Sequence, residues 1–154
     1  MHGSYWRRRS RVHSGLSRLL NDSNRVLITA ILAVASAQLM KFVIYAWYKK
    51  RPRLERLIGS GGMPSSHSAM VSALSTAMGF QTGWQSPMFA VSCVLGFIVL
   101  YDAIGVRRTV GLQSKYLNRM SDSEEFPEFV GHTPVEVLMG ALWGVFLGIL
   151  LYRI

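Results

Sequence analysis

Four apolar segments constrain this chain more than any other feature of its sequence. Residues 26–47, 88–106 and 135–152 come close to the length that crosses a bilayer core of about 30 Å at about 1.5 Å per helical residue. Residues 68–80 are shorter and rich in small side chains, which is typical of a helix at the centre of a bundle. Because no segment shows strong strand alternation, the sequence predicts an all-α integral membrane helical bundle with about four transmembrane helices.

The length of 154 residues suits one domain. Residues 26–154 are predicted to form the membrane-embedded helical domain, and the Arg- and Ser-rich residues 1–25 a flexible basic arm. A short targeting segment is the alternative for the arm, although no apolar core and cleavage site of the secretory type follows it. Cys93 is the single cysteine, which excludes an internal disulfide, and no Cys/His spacing suggests zinc.

The positive charge is concentrated beside the apolar segments. The net charge is +9, yet only 16% of the residues are charged, against roughly 25% in an ordinary soluble domain. The basic blocks fall within residues 7–11, 49–53 and 107–108. Such blocks indicate juxtamembrane charge that faces anionic headgroups or phosphates, and they argue against nucleic acid as a partner.

Two further patterns predict how helices pack. In the polar stretch 107–131, the spacing of Leu112, Tyr116 and Met120 predicts an interfacial helix. The last apolar segment carries a stripe of glycines at four-residue intervals: Gly140, Gly144 and Gly148. The stripe predicts close helix packing, either within the chain or against a second copy in a homo-oligomer.

The polar and charged residues that lie in or beside the apolar segments are predicted to gather at one face of the membrane. If the first helix crosses from side A to side B, the alternation of crossings brings to side B the groups that carry chemistry, which are Lys41, the loop 64–67, Asp102, Arg107, Arg108, His132 and Glu136. The turn 81–87 on side A has no charged residue. The loops of side B carry nine Lys and Arg, against seven in the arm and tail of side A, which favours a cytoplasmic side B.

Residues 61–67 lead from a glycine-rich loop into a helix N-terminus. Free backbone N–H groups and the helix dipole at such a place bind anions. The alternative is an ordinary serine N-cap after a turn.

His132 and Glu136 stand at the start of the last helix, where Pro134 suits the first helical position. A carboxylate that holds the proton of one ring nitrogen leaves the other nitrogen free to attack. Thr133 and Glu136 also have the spacing of a capping box, which explains Glu136 without catalysis. The two roles are compatible.

Three cations complete the constellation. A lysine inside an apolar segment, such as Lys41, pairs or serves a site, and the alternative is that it extends to the interface. Arg107 and Arg108 follow the third segment and either bind an anion or anchor the helix. Asp102 is a structural partner for one of them. An imidazole to attack, a second one to donate a proton and several cations together suit phosphoryl transfer.

The chain resembles the type 2 phosphatidic acid phosphatase and vanadium haloperoxidase superfamily, specifically its small divergent membrane branch. The resemblance covers residues 38–148 and is carried by residues 61–68, 101–108 and 131–137. It implies that His132 attacks phosphorus, that Glu136 orients it and that His67 protonates the leaving group. It also implies a set of phosphate-binding residues, namely Lys41, Ser65, Ser66, Arg107 and, as the other candidate, Arg108. Gly62 and Asp102 would support the site, and neither metal nor cofactor is needed, although vanadate can bind as a phosphate mimic.

The chain departs from the superfamily pattern at several positions. Ser66 replaces a glycine, Glu136 replaces an aspartate, and Phe126 stands where an arginine precedes the attacking histidine by six residues. Arg107 or Arg108 must therefore reach back to the site. The distance from Lys41 to Arg51 is also unusual, which leaves Arg51 a secondary candidate ligand.

The expected function is a membrane phosphatase that hydrolyses a lipid phosphate or lipid diphosphate through a phosphohistidine, without metal. A noncatalytic membrane subunit or anion-binding module that retains the pocket is an alternative, since a fold does not determine a function. Vanadate-dependent haloperoxidase chemistry is a further alternative.

Overall fold

The computed structural model describes residues 3–49, 62–121, 126–127 and 130–153. These residues form five helices, and none of them lies in a strand. In chain order the helices are α1 (Gly3–Lys49), α2 (Ser66–Thr82), α3 (Pro87–Ile104), α4 (Val106–Ser121) and α5 (Pro134–Arg153). The predicted all-α class is confirmed. Most of the predicted basic arm falls within α1, and the domain division at residue 25 stays a prediction.

Local sequence determines where α2 and α3 begin. The Ser65 hydroxyl accepts a hydrogen bond from the Ser68 N–H, and the Ser86 hydroxyl accepts one from the Phe89 N–H, so each serine satisfies a donor that the first helical turn leaves open. Pro87 occupies the first turn of α3, where a missing N–H costs nothing. Helix α2 ends at Gly83, whose φ of 90° favours glycine.

The glycine stripe of α5 packs against α2 of the same chain. A side chain at Gly140 would meet the Ser65 carbonyl, and one at Gly144 would meet the Ala69 carbonyl. At Gly148 it would lie 2.7 Å from Thr76 Cβ. Because the partners on α2 advance with the glycines, α2 and α5 run parallel and in close contact. Homo-oligomer formation stays a prediction.

Within the part of the chain that the structure describes, three helical regions are long and apolar enough to cross a membrane: Asn24–Trp47, Pro87–Ser121 and Pro134–Tyr152. They expose large apolar side chains, such as Phe97, 75% exposed, as lipid-facing surfaces do. Helix α2 has 17 residues and lies among α1, α3 and α5. Its buried face carries alanines, including Ala69, Ala73 and Ala77, as expected for the centre of a bundle. The chain is therefore a helical membrane bundle.

Helix α4 is amphipathic, but its polar face packs against the protein and its apolar face is exposed, the reverse of a helix in a soluble protein. Its small and polar residues Gly111, Ser114 and Asn118 are buried against the protein. The apolar side chains of Leu112, Tyr116 and Met120, which predicted this helix, are 60–69% exposed. An apolar outer face suits a helix at the membrane interface.

Candidate active site

Two backbone hydrogen bonds assemble the site at one end of the bundle. The Ser65 N–H donates to the Glu136 carbonyl at 3.0 Å and joins the start of α2 to α5. The His132 N–H donates to the Ala103 carbonyl at 3.1 Å and joins the loop before α5 to the end of α3. The beginnings of α2 and α5 therefore lie beside the end of α3, which is the arrangement expected from alternating crossings.

Glu136 holds both the imidazole of His132 and the backbone of the loop. Its Oε2 lies 3.2 Å from Nδ1 of His132 and accepts a hydrogen bond from the Thr133 N–H at 3.0 Å. The Glu136 N–H in turn donates to Thr133 Oγ1 at 3.3 Å. The capping box and the orienting carboxylate, which the sequence left as alternatives, thus coexist, and one carboxylate oxygen serves both.

The other ring nitrogen of His132, Nε2, differs from the rest of the site in being buried without a hydrogen-bond partner among the described residues. The residue as a whole is 3% exposed. Burial lowers the pKa of His132 below its ordinary value, while the hydrogen bond and the charge of Glu136 act in the opposite direction. A neutral imidazole that donates from Nδ1 to Glu136 carries its lone pair on Nε2, as a nucleophile requires.

Lys41 lies inside the protein rather than at its surface. It is 4% exposed, and its Cγ and Cδ lie 3.4 Å from the point where a side chain at Gly62 would begin. Gly62 has a φ of 98°, so the loop before α2 favours glycine there for its backbone, and Lys41 packs against that position in ordinary contact. The charge of Lys41 acts on both His67 and His132. Lys41 therefore faces the site.

His67 stands at the first turn of α2, exposed and within electrostatic range of Lys41, Arg107 and Asp102. Arg107 Nε donates to Asp102 Oδ2 at 2.5 Å across the junction of α3 and α4. This ion pair holds the guanidinium on Asp102, and the charge of Arg107 acts on His67. The structure thus brings together His67, Arg107 and Asp102 from separate parts of the sequence.

Gly131 explains how the arginines reach the site. Its φ is 86°, and a side chain there would collide with the backbone of Arg107 and Arg108. Without one, the loop that carries His132 lies directly on the beginning of α4. The sequence suggested that Arg107 or Arg108 must reach back to the site. In the structure neither has to, because the loop before α5 lies directly against the backbone of both.

A cavity of about 350 Å³, lined in part by charged side chains, lies beside His132 and Glu136. Arg108 and Lys115 line it from α4, and Gly62 and Thr133 line it from the loops. Sequence reasoning did not single out Lys115. The sequence feature that could have identified Lys115 is its spacing of seven residues from Arg108, which places both side chains on one face of a helix.

Two other site residues are buried. Ser65 is fully buried, and its Oγ accepts from Oγ of Ser68 at 2.9 Å in addition to capping α2. Ser66 is 2% exposed. The N-cap alternative for Ser65 is thereby observed, whereas phosphate binding by either serine stays a prediction.

Phe126 has a structural role at the position where the superfamily carries arginine. The side chain of Asn118 pairs with its backbone in both directions: Asn118 Nδ2 donates to the Phe126 carbonyl at 2.9 Å, and the Phe126 N–H donates to Asn118 Oδ1 at 3.0 Å. Asn118, which sequence reasoning missed, thus ties the loop after α4 to that helix.

Among the described residues no group of three His, Cys, Asp or Glu side chains could hold a metal ion. Gly61 and Arg51 lie outside the described residues.

The fold and the site define a class: an integral membrane helical bundle with a histidine–carboxylate pair and buried or paired cations at one end. The chain belongs to the Divergent PAP2 family, whose sequence model matches residues 22–147. It is also similar to the "Uncharacterized membrane protein YuiD" of Bacillus subtilis (strain 168), with 34% identity over 149 aligned residues, 84% of this chain and 94% of that protein. No solved structure matches the chain.

Proposed function

We propose that this protein is a membrane phosphatase that hydrolyses a lipid phosphate or diphosphate through a phosphohistidine on His132. The observation that carries the proposal is the buried Nε2 of His132, which has no partner among the described residues while Glu136 holds Nδ1. An isolated buried acceptor is costly unless a ligand engages it. The nearby cations of Lys41 and Arg107 suit a phosphoryl group as that ligand.

In the first step, Nε2 of His132 attacks phosphorus, and the bond from phosphorus to the lipid oxygen breaks in line with the new P–N bond. Protonated His67 gives its proton to the leaving oxygen, which departs as the lipid alcohol from a monophosphate substrate. From a diphosphate substrate the bond to the bridging oxygen breaks instead, and the lipid monophosphate departs. Lys41, Arg107 and the beginning of α2 would stabilise the charge on the other phosphoryl oxygens. Glu136 would stabilise the imidazolium that forms, as the triad carboxylate does in hydrolases.

In the second step, water attacks the phosphohistidine from the side that the lipid has left. His67, now neutral, takes a proton from that water, the P–N bond breaks, and His132 returns to its starting state with release of inorganic phosphate. Every proton is carried by groups of this chain. The scheme assigns no step to a metal.

The test is phosphate release from a panel of lipid phosphates by the protein in detergent, in the presence of EDTA. We expect release by the wild type and by His13→Ala, a control of the same residue type outside the matched family region. His132→Ala, verified as folded by its chromatographic profile, should release none. Equal absence of release in wild type and variant would support the noncatalytic alternative. Halide oxidation with peroxide and vanadate would instead support haloperoxidase chemistry.

A trapping experiment examines the intermediate itself. Rapid quenching of the wild type with labelled substrate should leave label on the protein that is lost in acid and kept in base, as a P–N bond requires. Label that survives acid would place the phosphate on an oxygen and contradict the role of His132.

The bias of Lys and Arg favours a site that faces the cytoplasm. The proposal is therefore that the enzyme acts on lipid phosphates of the inner leaflet.

A further inference from the structure

A second cavity lies within the bundle, between α2 and α3, with a volume of about 320 Å³. Its walls are lined by Val71 and Ser75 of α2, by Cys93, Gly96 and Leu100 of α3, and by Val145 of α5. We call it the α2–α3 groove. None of its lining residues belongs to the catalytic constellation.

The walls of the groove are apolar although serines and a threonine contribute to them. The Ser75 hydroxyl donates to the Ser92 carbonyl at 3.0 Å, and the Thr76 hydroxyl donates to the Ser72 carbonyl at 2.8 Å. The hydroxyl protons of Ser75 and Thr76 are thus used by helix carbonyls, and apolar side chains form most of the remaining wall. A hydrocarbon chain fits such a surface, and a polar ligand would lose hydrogen bonds there.

Two residues that line the groove lie one helical turn from the candidate site. Val71 follows His67 by one helical turn on the same face of α2. Leu100 precedes Ala103 by one turn, and the Ala103 carbonyl holds the backbone of His132. Because His67 donates the proton to the leaving oxygen, the chain attached to that oxygen must extend from His67. The α2–α3 groove is an apolar surface within one helical turn of that point.

Aromatic rings line the end of the groove that lies away from His67. Trp84 packs edge to face against Phe89 at a centroid distance of 5.1 Å, and both rings line the groove. Phe80 holds Trp84 from the other side at 5.2 Å. From Leu100 to Phe89 the groove follows α3 over roughly 16 Å, at about 1.5 Å per residue. A single chain of limited length therefore fits.

We infer that the α2–α3 groove binds the hydrocarbon chain of the substrate, which makes the preferred substrate the phosphate ester of one linear chain. This inference rests on the proposed function for the position of the leaving oxygen. The occupant is the chain of the substrate itself. A chain of the surrounding bilayer is the competing occupant.

Cys93 allows occupancy to be measured without catalysis, because it is the single cysteine and lines the groove. In vesicles, the rate of its reaction with N-ethylmaleimide would be measured with tetradecylphosphonate, ethylphosphonate or inorganic phosphate. The phosphonates cannot be hydrolysed. We expect tetradecylphosphonate to slow labelling by at least about tenfold, as expected for a well-filled apolar pocket, and the short ligands to have no effect. Unchanged labelling at a concentration that inhibits phosphate release would overturn the inference and leave the proposed function standing.

A variant tests the same point through turnover. A side chain at Gly96 would begin 3.7 Å from Ser75 Oγ, so Gly96→Ala is tolerated, whereas Gly96→Phe fills the groove. Gly96→Phe should lose activity on tetradecyl phosphate by at least about tenfold relative to Gly96→Ala and keep its activity on ethyl phosphate. Equal losses on both substrates would overturn a groove-specific effect. Protection of Cys93 without phosphate release from any substrate would support the groove and refute the phosphatase.

Discussion

Glu136 Oε2 accepts from two donors, and this sharing explains how one side chain serves both helix and imidazole. The Thr133 N–H donates to this oxygen and holds the carboxylate in position. The same oxygen also contacts Nδ1 of the His132 imidazole. The arrangement has a consequence for acid sensitivity, because burial and Glu136 act on the pKa of His132 in opposite directions.

Glu136→Gln should therefore change the rate and the pH profile together. Loss of the carboxylate charge removes an influence that raises the pKa of His132, so this pKa falls further and the acid limb of kcat/KM moves to lower pH. The rate should fall by about a hundredfold or more, since the forming imidazolium loses its counter-charge. Phosphate release measured from pH 4 to 8 checks both effects. An acid limb that moves to higher pH would contradict the assignment.

His67→Ala should discriminate between leaving groups. An alkoxide needs a proton in order to leave, so hydrolysis of an alkyl phosphate should fall by about 10²- to 10⁴-fold. A nitrophenolate leaves without a proton, and the phosphorylation step with nitrophenyl phosphate should change far less. Stopped-flow measurement of the nitrophenol burst gives that step directly. Equal losses in both first steps would refute the role of proton donor.

At the scale of helices, the contact between α2 and α5 supports the site, since both helices begin at it. Gly144→Ala places a methyl group against the Ala69 carbonyl, and backbone cannot move aside as a flexible side chain can. We expect a destabilisation of about 1–3 kcal/mol, measured as a lower unfolding temperature in detergent. Gly96→Ala is the matched control, because it gains the same helix propensity and meets only ordinary contacts. A Gly144→Ala protein as stable as the control would show that the contact is looser than described.

Several elements were predictable from residue patterns alone. The third and last apolar segments differ from α3 and α5 by two residues or fewer at each end, because serine, proline and glycine mark the boundaries. The interfacial helix was located by Leu112, Tyr116 and Met120. The two hydrogen bonds between the Asn118 side chain and the Phe126 backbone were not predictable, since a polar residue on an amphipathic helix ordinarily faces water.

At the scale of the whole molecule, the sidedness of the site can be measured in cells. In a Cys93→Ser background, Lys115→Cys places a thiol beside the cavity at His132. A membrane-impermeant maleimide should label it only after the cells are opened, if the site faces the cytoplasm as the charge bias favours. Labelling of intact cells would place the site outside. Gln85→Cys, in the turn at the opposite end of the bundle, should show the reverse pattern.

Residue patterns were enough to predict the membrane bundle, the gathering of the candidate site residues at one face and, as one of two alternatives, the pairing of His132 with Glu136. These follow from periodicity, segment length and the alternation of crossings, which act along the chain. Contacts between distant segments were needed to show that Lys41 is buried beside Gly62, that Gly131 brings the loop onto the arginines, and that an apolar groove lies between α2 and α3. These depend on contacts between segments distant in the chain, whose distances and burial no local pattern specifies.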